Sequence, residues 1–341
     1  MNARTTTRIV ALLSLVAAAA LMVSPAIADP LAGRDLPKFT QAPMIQHAQF
    51  GQIYFGHDEL STAYKPFGPA PNPLPYRGRF MADDFADTYN TPVLHVKFWG
   101  SYMGGTINPN PQQVQKFLIA FEADQPAGGP VHPFSHPIPP IQSQIVTLGA
   151  LSPGSGTFTE KQIHPGGPPQ NEALYEYNAE LAVPFNQQAD TVYWLKIVAL
   201  VDLLPGQQPS DPFVTRWGWH NREYATQNPL ASPNVSPGEV QQGNAALGPI
   251  WHFQDDAVEG AVNVFTGIGP NGLEVVTNVD QPILSFSPQR YLDNIDGPQG
   301  INQFSKDLAF ELYTFVPEPA TCMLLVPGLL GIAACRRSRR V

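Results

Sequence analysis

The chain has 341 residues, of which 28 are acidic and 19 are Lys or Arg, so its formal charge at pH 7 is −9. This balance argues against nucleic acid as a partner, because phosphates must be met by clustered Lys and Arg. The 37 prolines and 28 glycines argue against a helical fold, because both residues disrupt helix interiors. Both cysteines, Cys322 and Cys335, lie near the C-terminus, which excludes thiol chemistry and disulfides from the rest of the chain.

The first 28 residues have the pattern of a secretory signal peptide. Two arginines among the first eight residues precede an uncharged apolar run at 9–23, and Ala-Ile-Ala follows at 26–28. A basic stretch, an apolar stretch and an Ala-x-Ala end predict cleavage between Ala28 and Asp29. We therefore expect export through the inner membrane.

The body of the chain is predicted to consist of strands. Residues 29–48 lack a pattern and are predicted to be a flexible leader. Apolar residues alternate at 93–99, as in a strand with two different faces, whereas 117–121 and 191–201 are more apolar throughout, as in strands covered on both faces. Further strands are predicted at 52–55, 79–85, 145–148, 173–183, 218–220, 250–253, 273–278 and 306–315.

The predicted fold class is all-β. No long amphipathic helix is evident between the two terminal segments, and a series of strands without helices predicts an antiparallel β-sandwich of jelly-roll-like architecture. We assign it to one domain at 49–315, with Pro-rich loops such as the predicted excursion at 125–140.

Two pairs of adjacent aspartates are candidate ligands for a structural calcium ion. Asp83 and Asp84 form one pair, and Asp255 and Asp256 form the other. Calcium prefers carboxylate oxygens, but adjacent aspartates also form ordinary turns, and neither pair has the EF-hand spacing. The histidines show no zinc-binding motif, so we predict no other cofactor.

Three of the five tryptophans lie beside polar residues and are candidate carbohydrate contacts: Trp217, Trp219 and Trp251. Exposed aromatic faces can stack on sugar rings. The alternative is that Trp217 and Trp219, being two residues apart, share one sheet face and belong to the core.

The last segment, 316–341, has three parts in a fixed order. Pro317, Glu318 and Pro319 precede an uncharged run at 320–335, and a basic cluster closes the chain. This cluster contains Arg336, Arg337, Arg339 and Arg340. The run would span roughly 24 Å as a helix, slightly less than a bilayer core of about 30 Å. It predicts a single transmembrane helix with its arginines on the cytoplasmic side and the body outside.

This tail resembles the PEP-CTERM sorting signal of bacterial proteins. The resemblance implies that an exosortase, a membrane-embedded cysteine transpeptidase, recognises Pro317, Glu318 and Pro319 and removes the span. The mature protein would then be released or attached to the envelope, after only transient contact with the inner membrane.

Short aromatic motifs recur along residues 79–315. They are MADDF at 81–85, HVKFWGS at 95–101, FLIAF at 117–121, FSHP at 134–137, YWL at 193–195, WGW at 217–219 and DLAF at 307–310. Their order and spacing resemble an uncharacterised bacterial extracellular β-sandwich domain that recurs in PEP-CTERM proteins. The resemblance implies no activity and transfers no catalytic residue.

Three functions are consistent with these patterns. The favoured one is an exported cell-surface or extracellular-matrix protein with a non-enzymatic structural or adhesive body. The second is a carbohydrate-binding module for envelope polysaccharide or exopolysaccharide. The third is a secreted polysaccharide or ester hydrolase, although no catalytic constellation is recognisable in the sequence.

Overall fold

The structure is a computed structural model. It describes residues 36–44, 58–68, 74–103, 112–127, 134–165, 173–223, 230–235, 238–240, 249–253, 256–281, 287–288 and 307–315. The predicted signal peptide, transmembrane helix and basic cluster lie outside these residues. Within them there is no helix of the length and apolar character needed to cross a membrane.

The described residues form seventeen strands and no helix. In chain order the strands are β1 (Leu36–Gln41), β2 (Asp58–Leu60), β3 (Thr62–Lys65), β4 (Tyr76–Phe85), β5 (Val93–Tyr102), β6 (Lys116–Gln125), β7 (His136–Leu148), β8 (Thr157–His164), β9 (Leu174–Phe185), β10 (Tyr193–Asp202), β11 (Trp217–His220), β12 (Gly238–Val240), β13 (Pro249–Trp251), β14 (Val258–Ile268), β15 (Glu274–Asp280), β16 (Ser287–Pro288) and β17 (Phe310–Thr314). The all-β class predicted from the sequence is confirmed for this part of the chain.

One mixed sheet contains fifteen of these strands. Its main path runs β1-β17-β5-β9-β8-β7-β6-β10-β3-β4-β14-β15, and β12 pairs with β13 separately. The expectation of purely antiparallel pairing is wrong, because β3 pairs parallel with β10 and β7 pairs parallel with β8. Strand β10 pairs with β6 on one edge and with β3 and β4 on the other, and its first eight residues are all buried because both of its faces are covered.

The core has two main parts, on opposite faces of β10. Leu195 and Ile197 face the larger cluster, whereas Trp194 and Val198 face the smaller one, as alternation along a strand requires. In the larger cluster, rings of β5 and β6 meet at 5.2 Å although these strands are not neighbours in the sheet. The continuous sheet therefore curls, so that β5 and β6 face each other across the larger cluster.

The strands predicted at 93–99, 117–121 and 191–201 are confirmed as the cores of β5, β6 and β10. The strand predicted at 52–55 lies outside the described residues. The prediction of a flexible leader is wrong for residues 36–44, because β1 pairs antiparallel with β17 and buries Phe39 against Phe310.

Strand β7 begins at His136, inside the Pro-rich excursion predicted at 125–140. Proline cannot donate a ladder hydrogen bond. The register between β6 and β7 shifts on either side of Glu122, which pairs with Pro140, while Asp124 pairs with Pro137. The irregular pairing thus accommodates the prolines within a strand.

Candidate metal centre

Five ionisable side chains from four separate segments meet in the interior. Asp83 and Asp84 lie at the end of β4, His252 follows β13, Asp256 precedes β14 and Asp307 precedes β17. His252 is 7% exposed and the four aspartates are each at most 1% exposed. These five residues are called the acidic centre below.

Asp256 lies between the two halves of the acidic centre and is close to the ligand atoms of both. Neighbouring residues of a strand point to opposite faces, so Asp83 and Asp84 diverge from each other. Ligand atoms of Asp84, His252 and Asp256 lie within 4.8 Å of one another, and so do those of Asp83, Asp256 and Asp307. Asp256 therefore belongs to both groups of three.

The imidazole of His252 lies between two carboxylates. Its Nδ1 is 2.5 Å from Asp84 Oδ2 and 2.9 Å from Asp256 Oδ2. The other oxygen of Asp84 accepts a hydrogen bond of 3.0 Å from the backbone N–H of Phe253, whose φ of 63° lies in the left-handed region. This bond, together with the packing of the Phe253 ring against Phe39, holds the 252–253 turn in place.

Asp83 is held by hydrogen bonds on both of its oxygens. Gln41 Nε2 donates to Oδ2 at 2.9 Å, the backbone N–H of Leu308 donates to the same atom at 2.7 Å, and the N–H of Asp84 donates to Oδ1 at 2.9 Å. Because Gln41 belongs to β1 and Leu308 precedes β17, these bonds attach both strands to β4.

Arg222 places a permanent positive charge beside the acidic centre. Its Nη1 lies 3.5 Å from Asp307 Oδ2 and donates to Gln41 Oε1 at 3.2 Å. The same atom also donates to the backbone carbonyl of Phe253. Among the described residues, this one guanidinium is set against four buried carboxylates, so the acidic centre carries excess negative charge when all four are ionised.

Burial raises the pKa of Asp83 to about 8, and repulsion from Asp84 and Asp256 adds to the shift, while hydrogen bonds from Asp307 and Leu308 oppose it. Burial also raises the pKa of Asp256 and of Asp307, with further contributions from the charges of Asp84 and Asp83 respectively. Carboxylates in such a place must either hold protons or share a cation.

The sequence identified part of this centre. The structure brings together three of the four predicted calcium ligands, Asp83, Asp84 and Asp256, while Asp255 lies outside the described residues. It adds His252 and Asp307, which sequence reasoning missed. The only local signal was the four-residue spacing of His252 and Asp256, and Asp307 is too distant in sequence to give one.

The predicted carbohydrate contacts at Trp217 and Trp219 are not supported. Both side chains are 0% exposed and belong to the larger cluster, so neither presents a ring face to a sugar. The indole N–H of Trp219 donates to the carbonyl of Ala309 at 2.9 Å. Trp251 ends β13, but its side chain lies outside the described part of the structure.

The remaining predicted site residues also fall outside the described ranges. These are the cleavage residues Ala28 and Asp29, the motif Pro317, Glu318 and Pro319, and the arginines Arg336, Arg337, Arg339 and Arg340.

The fold and its acidic centre define an all-β protein with a buried polar core. Residues 37–259 match the family model described as a domain of unknown function, DUF7901. This match covers more than half of the sequence, and the chain belongs to that family. No curated protein and no solved structure matches it.

Proposed function

We propose that this chain is an exported cell-surface or extracellular-matrix protein, delivered by a C-terminal sorting signal and processed by an exosortase-type transpeptidase. Its β-rich body would have a structural or adhesive role without catalysis. The proposed destination is supported by the order of the three parts of the last segment. Pro317, Glu318 and Pro319 come first, the apolar run at 320–335 follows, and the arginines close the chain. The signal-peptide pattern at residues 1–28 is consistent with the same route.

The burial of the acidic centre supports a structural role for the body. Catalytic groups must touch their substrate, and a polymer cannot reach aspartates that are at most 1% exposed. The centre instead attaches β1, β4 and the segment before β17 to one another through Gln41, Asp83 and Leu308. Ring contacts between β5 and β6 also support describing the body as sandwich-like.

Replacing Glu318 tests the proposed sorting. In a bacterium that contains an exosortase, the Glu318→Gln chain should keep its tail, because the replacement removes the charge of the recognition motif. The intact mass of the protein and an epitope placed after Val341 distinguish the chain that keeps its tail from the chain that has lost it.

Glu311→Gln is the matched control, since it changes a nearby glutamate of β17 outside the motif. It should be processed like the unmodified chain. Normal removal of the tail from the Glu318→Gln chain would reject the proposed role of Glu318.

A further inference from the structure

We propose that Asp84, His252 and Asp256 bind one divalent transition-metal cation, of the Zn²⁺ or Mn²⁺ type, inside the fold. This inference goes beyond the proposed sorting and does not depend on it. It extends the calcium site expected from the aspartate pairs to a site of mixed nitrogen and oxygen ligands.

The first argument is the convergence of three ligand atoms. Oxygens of Asp84 and Asp256 approach the same nitrogen of His252, at 2.5 and 2.9 Å. An imidazole nitrogen carries at most one proton, so it can donate a full hydrogen bond to only one of two ionised carboxylates. A shared cation removes this conflict, because all three atoms can then offer it a lone pair.

The spacing of these atoms is compatible with such an ion. Ligands about 2.1 Å from a common metal lie roughly 3 to 4 Å from one another. The ligand atoms of Asp84, His252 and Asp256 all fall within 4.8 Å of each other. Only small side-chain movements would therefore complete the coordination.

A second, independent observation concerns the remaining oxygen of Asp256. Asp256 is 1% exposed, and its Oδ1 accepts no hydrogen bond from any residue that the structure describes. Buried carboxylate oxygens normally have a donor, and the free energy cost of leaving one without a partner is high. A cation coordinated by both oxygens of Asp256, Oδ2 beside His252 and Oδ1, would satisfy this atom.

The neighbouring groups favour this trio as the inner ligands. Asp83 already accepts hydrogen bonds from Gln41, Leu308 and Asp84, and Asp307 lies beside the guanidinium of Arg222. Both residues are placed to orient the site and to balance its charge, as outer groups do around many metals.

The imidazole selects the class of cation. Calcium and magnesium take oxygen ligands, whereas zinc and manganese also accept histidine nitrogen. Since His252 supplies the atom on which the two carboxylates converge, a transition metal fits the trio better than calcium does.

The test uses the full-length chain, purified in detergent, stripped with a chelator and then titrated separately with Zn²⁺, Mn²⁺ and Ca²⁺. Calorimetry and elemental analysis should give one zinc or manganese per chain. At a hundredfold excess over Kd, the melting temperature should rise by about 5 to 10 °C. Ca²⁺ should bind more weakly than both.

Variants identify the ligands. His252→Ala and Asp256→Asn should each weaken zinc or manganese binding by about 100-fold or more. Asp87→Asn is the matched control, because Asp87 is an equally buried aspartate that pairs with Lys38 outside the acidic centre. It should keep the affinity of the unmodified chain.

Thermal melting of the cation-free variants distinguishes weaker binding caused by a missing ligand from weaker binding caused by misfolding. Asp256→Asn removes one buried charge from the acidic centre, so the cation-free variant should fold at least as stably as the stripped chain. The proposal is overturned if the folded chain binds neither zinc nor manganese. It is equally overturned if binding survives in His252→Ala, or if calcium binds more tightly than both metals.

Discussion

Lys196 and Glu122 form an ion pair inside the smaller core cluster. Their Nζ and Oε1 atoms lie 2.7 Å apart, both side chains are 0% exposed, and Nζ sits 3.8 Å from the centroid of the Phe80 ring. Burial lowers the pKa of Lys196 and raises the pKa of Glu122, while the charge of each partner opposes the shift of the other. Each charge is therefore tolerated because its partner is present.

Removing one member of this pair should be more harmful than removing both. We expect Lys196→Met to lower the free energy of unfolding by about 3 to 5 kcal/mol, since Glu122 would keep a buried charge without its cation. The double variant Lys196→Met/Glu122→Leu should lose less. Urea denaturation measures both values.

Lys97→Met provides the comparison, because the Lys97–Glu311 pair is partly exposed, at 24% and 19%. We expect it to cost about 1 kcal/mol or less. If Lys97→Met and Lys196→Met lowered the free energy of unfolding equally, burial would not determine how much each ion pair matters for stability.

At the scale of elements, Glu274 connects the edge strand β15 to the strands β3, β6 and β14 by hydrogen bonds. Glu274 accepts hydrogen bonds from Lys65 of β3 at 2.8 Å, from Lys116 of β6 at 2.8 Å and from Thr266 of β14 at 2.6 Å. Burial acts to raise the pKa of Glu274, but the bonds from Lys116, Lys65 and Thr266 outweigh it and hold this pKa at about 2.

This shift predicts an acid-sensitive attachment of β15. Because the pKa is lower in the folded than in the unfolded chain, the stabilisation is complete above the unfolded value of 4.5 and is lost as the pH falls towards about 2. Glu274→Gln should flatten the decline in unfolding free energy between these pH values, as measured by urea denaturation. Glu259→Gln, which alters the pair with the largely exposed Arg79, should leave the decline in place.

The close approach of β3 to β4 depends on Gly78. A Cβ atom at this position would lie 2.1 Å from the carbonyl oxygen of Thr62 and 2.6 Å from the Cα of Ala63. We expect Gly78→Ala to destabilise the chain by about 1 to 3 kcal/mol or more, because backbone atoms cannot move aside as side chains can.

Thermal melting measures this effect against Gly68→Ala. At Gly68 the nearest atom to an added Cβ is Leu74 Cδ1, at an ordinary distance of 3.6 Å. That control should melt within a few degrees of the unmodified chain. A similar melting temperature for Gly78→Ala would contradict the close backbone contact.

The strands that could be predicted were those with a strong local pattern. The cores of β6 and β10 are largely apolar, so their burial on both faces followed from the sequence. Strand β1 reads LPKFTQ, and only its distant partner β17 makes it a strand. Likewise the aspartate pairs were visible, but His252 and Asp307 join them through contacts that no local pattern encodes.

At the scale of the whole molecule, the acidic centre and the β1–β17 pair occupy the same region. Gln41 of β1 donates to Asp83 and also to the carbonyl of Leu308, which lies two residues before β17. The first and last strands of the described sheet are therefore fixed to each other and to β4 by one set of buried polar groups. Loss of order in any of these segments would loosen the others.

The β1–β17 pair also sets the order in which the chain can mature during synthesis. Gln41 and Leu308 are 267 residues apart. At translation rates of about 5 to 20 residues per second, β1 waits roughly 13 to 53 s for its partner. Throughout that interval β1 has no strand to pair with, because β17 is its only partner in the described sheet. The ribosome must thus finish nearly the whole sheet before its first strand can be enclosed, so the fold cannot close until the C-terminal strand has been made.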